Sequence, residues 1–204
     1  MKKALASIVF CAIAGAAQAG PMTDVVNLCT DPMTTGPEKV ARLPDMGWAP
    51  IEADPTGPLA DLSTALIIGF TNGMPDLESR FAAAPRLAGN FATMTTQGQA
   101  SVWSQGDAVL AITIAQTDAG GEHLGCYFAN LPSDELMDWM SKYGGPETLP
   151  ALELIALRYD ETAMRFSPDI TYKMYSTWTR LTSDPARTRL TDGFRMERVQ
   201  MEPS

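Results

Sequence analysis

Apolar side chains recur at helical spacing before residue 90. In the clearest run they lie three or four positions apart, at Leu59, Leu62, Leu66, Ile67 and Phe70. This spacing predicts a helix with one face packed on a core. Shorter helices are predicted over 24–29, from Pro37 to a stop before Pro44, and from Leu77 to Pro85. Pro85 is expected to end its helix because a proline there removes a hydrogen bond and clashes with the preceding turn.

Strand patterns replace the helical ones after residue 100. Apolar runs, or alternating apolar and polar positions, predict strands over 48–52, 101–104, 108–116, 122–130, 152–159 and 170–179. A further helix is predicted at about 133–143, where a serine and two acidic residues suit the first turn of a helix. Asp192-Gly193, between the segments 187–191 and 194–199, predicts the two-residue turn of a β-hairpin.

These elements together predict an α+β fold. Its antiparallel sheet has about six or seven strands in mostly meander order. Helices from the N-terminal part and the helix at about 133–143 are expected to cover one face of that sheet. The regular alternation of strands and helices that builds nucleotide-binding folds is absent from the sequence.

The first residues form the pattern of a cleavable signal peptide. Two lysines at Lys2 and Lys3 precede an apolar run over 4–17, and a small-x-small cleavage site ends at Ala19. The apolar run is shorter than the roughly 20 residues that span a bilayer. The sequence therefore predicts a signal peptide over 1–19 and a single exported domain over 20–204. That domain is expected to be soluble, without a membrane span, in the periplasm or the medium.

The charge balance argues against several classes of partner. The formal net charge is −9 at pH 7, and the leader would take Lys2 and Lys3 with it, so the exported domain is more acidic still. Nucleic acids and anionic lipids bind through clustered Lys and Arg, and we therefore expect neither as a partner. Ca²⁺ is equally unsupported, because no run of acidic residues has the spacing of a calcium loop.

Two cysteines remain after the leader is removed. Cys11 lies inside it, which leaves Cys29 and Cys126. An even number of cysteines in an exported protein predicts one disulfide, and both lie in apolar segments that disfavour a reactive thiolate. The alternative is a pair of buried free thiols.

The sequence offers few groups for catalysis. The one histidine, His123, is a weak candidate for a general base, but no nucleophile motif accompanies it and a partly buried strand residue is the simpler interpretation. Pairs of acids that could act across a cleft are Asp76/Glu78, Glu52/Asp54 and Asp134/Glu135/Asp138. Surface positions in turns and first helical turns are the simpler interpretation of all three groups.

Metal and cofactor sites are not predicted. One histidine and two distant cysteines cannot supply the three or four ligands of a zinc site, and the methionines are too scattered for a copper site. No phosphate-binding glycine loop occurs, so we expect no cofactor. The four tryptophans, Trp48, Trp103, Trp139 and Trp178, come from separate elements and are expected to share a core rather than a ligand pocket.

The interpretation that remains is a binding domain of the bacterial cell envelope, with a small molecule or another envelope protein as its partner. One alternative is an envelope hydrolase that uses His123 or a carboxylate pair. The other is an inhibitor or accessory subunit of another exported protein. A structure separates the first two, because a hydrolase of this kind needs His123 and carboxylates to converge in one pocket.

Overall fold

The computed structural model describes residues 20–70, 76–118, 120–150, 153–167, 170–182 and 188–201. The predicted signal peptide lies outside these ranges and stays a prediction. No helix within the described ranges is both long enough and apolar enough to cross a membrane.

Five helices form. They are α1 (Pro21–Thr30), α2 (Gly36–Arg42), α3 (Pro58–Phe70), α4 (Leu77–Thr96) and α5 (Asp134–Lys142). Local sequence explains where α2 begins: Thr35 caps it, accepting a hydrogen bond from the Glu38 amide, while the Glu38 carboxylate accepts one from the Thr35 amide at 2.8 Å.

The described residues also form eight strands, which pair in a single antiparallel sheet. They are β1 (Ala49–Pro50), β2 (Ala100–Gln105), β3 (Ala108–Gln116), β4 (Glu122–Asn130), β5 (Glu147–Leu149), β6 (Leu154–Ser167), β7 (Ile170–Leu181) and β8 (Asp192–Met201). Their order across the sheet is β1-β2-β3-β4-β8-β7-β6-β5. The chain thus makes one meander, β1 to β4, and a second, β5 to β8, joined where β4 pairs with β8. The predicted α+β fold with mostly meander order is confirmed.

Helices pack on both faces of the sheet, and the prediction of one covered face is wrong. Alternate residues of β3 show this division, because Leu110 and Ile112 join a core with α1 and α5, whereas Val109 and Ala111 join a core with α3 and α4. Successive side chains of a strand point to opposite faces. A strand that is apolar at nearly every position therefore has a helix layer on each side.

Helix α4 continues past Pro85, where the sequence predicts its end. Pro85 is exposed, and residues beyond it, including Ala88 and Phe91, are buried against the sheet. Burial of this apolar face outweighs the hydrogen bond that the proline removes. The helix therefore continues through the proline and reaches a length of 20 residues.

The predicted hairpin turn at Asp192-Gly193 is wrong, because both residues lie inside β8. Asp192 is fully buried and accepts hydrogen bonds from Arg180 Nε and Nη2, each at 2.7 Å. Gly193 is needed for close packing: a Cβ there would lie 2.8 Å from Thr179 Oγ1 and 3.1 Å from the carbonyl oxygen of Ala65 in α3. The glycine marks the approach of a helix backbone to the sheet.

The predicted disulfide joins Cys29 in α1 to Cys126 in β4. Both cysteines are fully buried in the core between α1, α5 and the sheet. The bond closes a loop of 97 residues. Disulfides persist in oxidising compartments, so this bond is compatible with a location outside the cytoplasm.

Candidate functional site

The two faces of β4 have different chemistry. Leu124, Cys126 and Phe128 point into the core that holds α1 and α5. His123 and Tyr127 share the opposite face, because side chains alternate along a strand. The adjacent strand β8 places charged residues beside them, since Arg195 and Glu197 belong to the same face. Polar groups therefore collect on the side of the sheet that carries α3 and α4.

A chain of hydrogen bonds runs across this face. Tyr127 Oη in β4 donates to Glu197 Oε1 in β8 at 2.9 Å. Arg195 donates to the same carboxylate oxygen from Nε at 3.1 Å and from Nη2 at 2.5 Å. Strands β4 and β8 are thus linked through one carboxylate. The charges of Arg195 and Glu197 neutralise each other at the end of this chain.

Gly125 makes the position of Tyr127 possible. A Cβ at residue 125 would lie 2.5 Å from Thr113 Oγ1, 2.7 Å from Tyr127 Cε2 and 2.8 Å from Tyr127 Oη. The Tyr127 ring therefore lies over the glycine, and its hydroxyl reaches Glu197 across the space that a side chain would fill. Phe91 of α4 meets the same ring edge-on, with 4.9 Å between ring centroids.

Burial and nearby charges set the ionisation of Glu197 and Tyr127. Burial alone would raise the pKa of Glu197, but the hydrogen bonds and charge of Arg195, the Tyr127 hydrogen bond and His123 together hold it below its ordinary value. The pKa of Tyr127 is raised, first by burial and then by the negative charge of Glu197. The carboxylate is therefore charged and the phenol neutral at neutral pH, which keeps Tyr127 as a hydrogen-bond donor.

His123 lies at the outer end of the hydrogen-bonded group formed by Tyr127, Glu197 and Arg195. Its Nε2 is 4.0 Å from Glu197 Oε2, and its side chain is 40% exposed. In the described part of the chain, Glu197 is the one carboxylate within ion-pair distance of this histidine. His123 does not line the pocket described next, and the hydroxyl of Tyr127 on the same strand is hydrogen-bonded to Glu197.

A pocket of about 270 Å³ lies between helices α3 and α4 and the sheet face that carries Tyr127 and Arg195. Its walls are mostly apolar and its floor is the sheet face just described. The lining side chains are Leu66 and Ile67 of α3, Leu87, Asn90, Phe91 and Met94 of α4, Thr113, Tyr127 and Arg195. An apolar recess with a few convergent polar groups is the usual form of a small-molecule site.

Other candidate groups lie away from this pocket. Asp76 begins α4 and accepts from the Ser79 amide at 2.7 Å, while Asp54 accepts from the Thr56 amide at 2.8 Å in the loop after β1. Glu135 belongs to the first turn of α5. The three predicted carboxylate groups thus occupy separate parts of the fold. Three of the tryptophans are core residues, at Trp48, Trp103 and Trp178, and Trp139 packs against them.

A second polar cluster lies on the other face, under the loop after α1. Lys39 is fully buried, and its Nζ donates to the carbonyl oxygens of Leu28 and Asp31, both at 2.6 Å. Arg198 donates to the Asp31 carbonyl at 2.7 Å and to Glu122 Oε1 at 3.0 Å. Burial and the nearby Arg198 charge lower the pKa of Lys39 to about 8. This cluster holds the loop to the sheet.

Within the ranges that the structure describes, no three His, Cys, Asp or Glu side chains are arranged to hold a metal ion. No family model, curated protein or solved structure matches the chain. The site is therefore interpreted from its geometry.

The sequence identifies His123 but misses most of the pocket. Asn90, Phe91 and Met94 lie beyond Pro85, in the part of α4 that the sequence leaves unassigned. Their signal is present, because Leu87, Phe91 and Met94 are spaced four and three residues apart and so share one helical face. Arg195 and Glu197 meet Tyr127 only through the pairing of β4 with β8, which local pattern does not specify.

Proposed function

We propose that this protein is an exported binding domain that takes up a small, neutral and mainly apolar molecule in the pocket between α3, α4 and the sheet. One observation carries the proposal. The pocket has apolar walls from two helices and a floor on which Tyr127 is hydrogen-bonded to Glu197, which in turn is paired with Arg195. Apolar walls supply binding free energy, and a few fixed polar groups orient the ligand.

The size and charge of the pocket favour one ligand class. Its volume of about 270 Å³ is at the lower end for ligand pockets, about 300–1,000 Å³, and suits a single small ring or a short aliphatic chain. Arg195 is paired with Glu197, so the floor carries no net charge and gives little preference for an ion. A phenol or an alcohol fits best, because its hydroxyl can exchange hydrogen bonds with the polar floor.

Binding fits the position of His123 better than hydrolysis does. The histidine is outside the pocket lining, and one carboxylate accompanies it in the part of the chain that is described. A ligand on the pocket floor would meet Thr113 and Tyr127, and the Tyr127 hydroxyl already donates a hydrogen bond to Glu197. This arrangement orients a ligand without activating a nucleophile.

Amide chemical-shift changes measured by NMR test the proposal. The probes are 4-methylphenol and hexanol as neutral ligands and hexanoate as an ionic counterpart of similar size. We expect the neutral probes to shift the amides of Phe91, Thr113 and Tyr127, and hexanoate to bind at least threefold more weakly than hexanol, since transfer of an ion into an apolar pocket is costly.

Two substitutions on α4 make this test specific. Met94→Trp places a bulky side chain in the pocket and is expected to weaken 4-methylphenol binding about tenfold or more, about 1.4 kcal/mol. Arg86→Trp, at an exposed position of the same helix, should leave binding unchanged. His123→Ala should keep it within a fewfold. The proposal is wrong if no neutral probe shifts the pocket amides, or if Met94→Trp binds like the parent protein.

A further inference from the structure

The start of α1 lies against a carboxylate of α5. Glu135 Oε2 accepts a hydrogen bond from the Met22 amide at 3.3 Å. The same carboxylate lies beside Gly20, because a Cβ on that residue would be 2.3 Å from Oε1 and 2.5 Å from Oε2. Standard bond lengths then place the Gly20 nitrogen within about 5 Å of the carboxylate. A side chain at position 20 would displace Glu135 from α1.

A second carboxylate lies close to the first without a cation beside them. The amide of Asp24 donates to the Gly20 carbonyl oxygen at 3.1 Å. Burial, and then the negative charge of Glu135, raise the pKa of Asp24. No lysine or arginine of the described ranges forms an ion pair with either carboxylate. The negative charge of Glu135 thus acts on Asp24, and within the described ranges no lysine or arginine compensates it through an ion pair.

We propose that the α-ammonium group of Gly20 supplies the missing positive charge, and that removal of residues 1–19 thereby completes the packing of α1 on α5. The proposal rests on the predicted cleavage after Ala19 and is independent of the ligand pocket. A leader-cleaving endopeptidase would add one water across the Ala19–Gly20 amide. Ala19 leaves with the new carboxylate, and the released Gly20 amine takes up a proton to become the ammonium.

The chemistry of the two forms differs at one atom. In the unprocessed chain the Gly20 nitrogen is an uncharged amide, which cannot pair with Glu135. In the processed chain it is a cation next to a carboxylate at a helix start, where Glu135 already accepts the Met22 amide. Glycine suits this position because no side chain separates the ammonium from the carboxylate. Processing therefore stabilises the domain that it releases.

A double-mutant cycle tests the ion pair. Two forms of the exported domain are compared, one with a free Gly20 amine and one with that amine acetylated, each with Glu135 and with Glu135→Gln. We expect acetylation to lower the melting temperature by about 2–3 °C with Glu135 present, and by much less in Glu135→Gln, because the ammonium has no Glu135 carboxylate to pair with there. Asp138→Asn, an exposed acid on the same helix, should keep the full difference.

Each remaining outcome contradicts the proposal. An equal loss in both backgrounds would show that the acetyl group acts through its bulk, and no loss in either would show that the ammonium has no partner. Intact mass provides a separate check on processing. Exported protein should begin at Gly20, and a different first residue would overturn the proposal even if the pocket binds its probes.

Discussion

Gly125 is the residue on which the polar floor of the pocket depends. Glycine inside a strand usually weakens it, because the backbone loses more entropy on folding and no side chain packs. Here the ring of Tyr127 occupies the vacant position and keeps its hydroxyl on Glu197. An aromatic ring covering a strand glycine offsets the loss. Glycine is therefore required at position 125, because the ring of Tyr127 fills the volume that a side chain there would occupy.

Gly125→Ala is therefore expected to destabilise the protein. The new methyl group would force Tyr127 and Thr113 apart, at a cost of about 1–3 kcal/mol in the free energy of unfolding. Gly89→Ala is the matched control. That glycine lies inside α4 with nothing within 4 Å of its Cβ position, so alanine should stabilise by about 0.4–1 kcal/mol. Urea unfolding measures both, and equal effects of the two substitutions would contradict this account of Gly125.

At the scale of the elements, the sequence best predicts the strands that have helices packed on both faces. The predicted strands 108–116 and 122–130 match β3 and β4 at both ends, because an apolar run covered on two faces has a clear signal. The errors occur where tertiary contacts override a local rule. Helix α4 passes Pro85 because its later residues are buried, and Gly193 serves close packing instead of a turn.

Lys39 of α2, buried under the loop between α1 and α2, gives the protein an unusual pH dependence. Lys39 has a pKa of about 8 in the folded protein against 10.5 as its ordinary value. Between these values the unfolded chain binds a proton that the folded protein does not. The free energy of unfolding therefore rises with pH across this window. Arg198, Asp31, Glu122 and Arg42 are the charged groups that act on this amine.

We expect stability to increase from pH 8 to pH 10, with a slope of at most about 1.4 kcal/mol per pH unit. Above pH 10 the raised pKa of Tyr127 acts in the opposite direction, because the unfolded chain then loses a proton first. Urea unfolding at a series of pH values checks the slope. The slope should be smaller in Lys39→Met and unchanged in Lys142→Met, which alters an exposed lysine. If Lys39→Met keeps the slope, another group causes the pH dependence.

At the scale of the whole molecule, the disulfide links the N-terminal helix to the centre of the sheet. Cys29 and Cys126 are separated by 97 residues. Closing a loop of about 100 residues removes about 4.7 kcal/mol of chain entropy from the unfolded state, and measured gains are typically about 2–4 kcal/mol. This amount is a large part of the net stability of an ordinary domain.

Replacing Cys29 and Cys126 by alanine should lower the free energy of unfolding by about 2–5 kcal/mol. A reducing agent should bring the parent protein to nearly the same urea midpoint and should leave the double variant unchanged. If the reduced parent keeps its midpoint, the bond does not contribute to stability as proposed.

The candidate site depends on the whole molecule in a way that limits its prediction. His123 and the cysteines are visible as rare residue types, and sequence alone selects them. The pocket needs α4 from one part of the chain and Arg195 from another, brought together by the register of β4 with β8. A register shift of one residue would turn Arg195 and Glu197 to the opposite face. The alternating pattern of β8 indicates which face each of its residues takes, but it does not indicate that β8 pairs with β4.

The pairing of β4 with β8, which joins the two meanders, has a consequence for biosynthesis. During synthesis β4 is finished long before β8, and until β8 arrives the backbone of 122–130 is an open sheet edge. Such an edge can pair with a strand of another copy and begin aggregation. Strand β8 is the segment that closes this edge on one side and the edge of β7 on the other. Truncation of its 10 residues would leave two half-sheets, each with an unprotected strand.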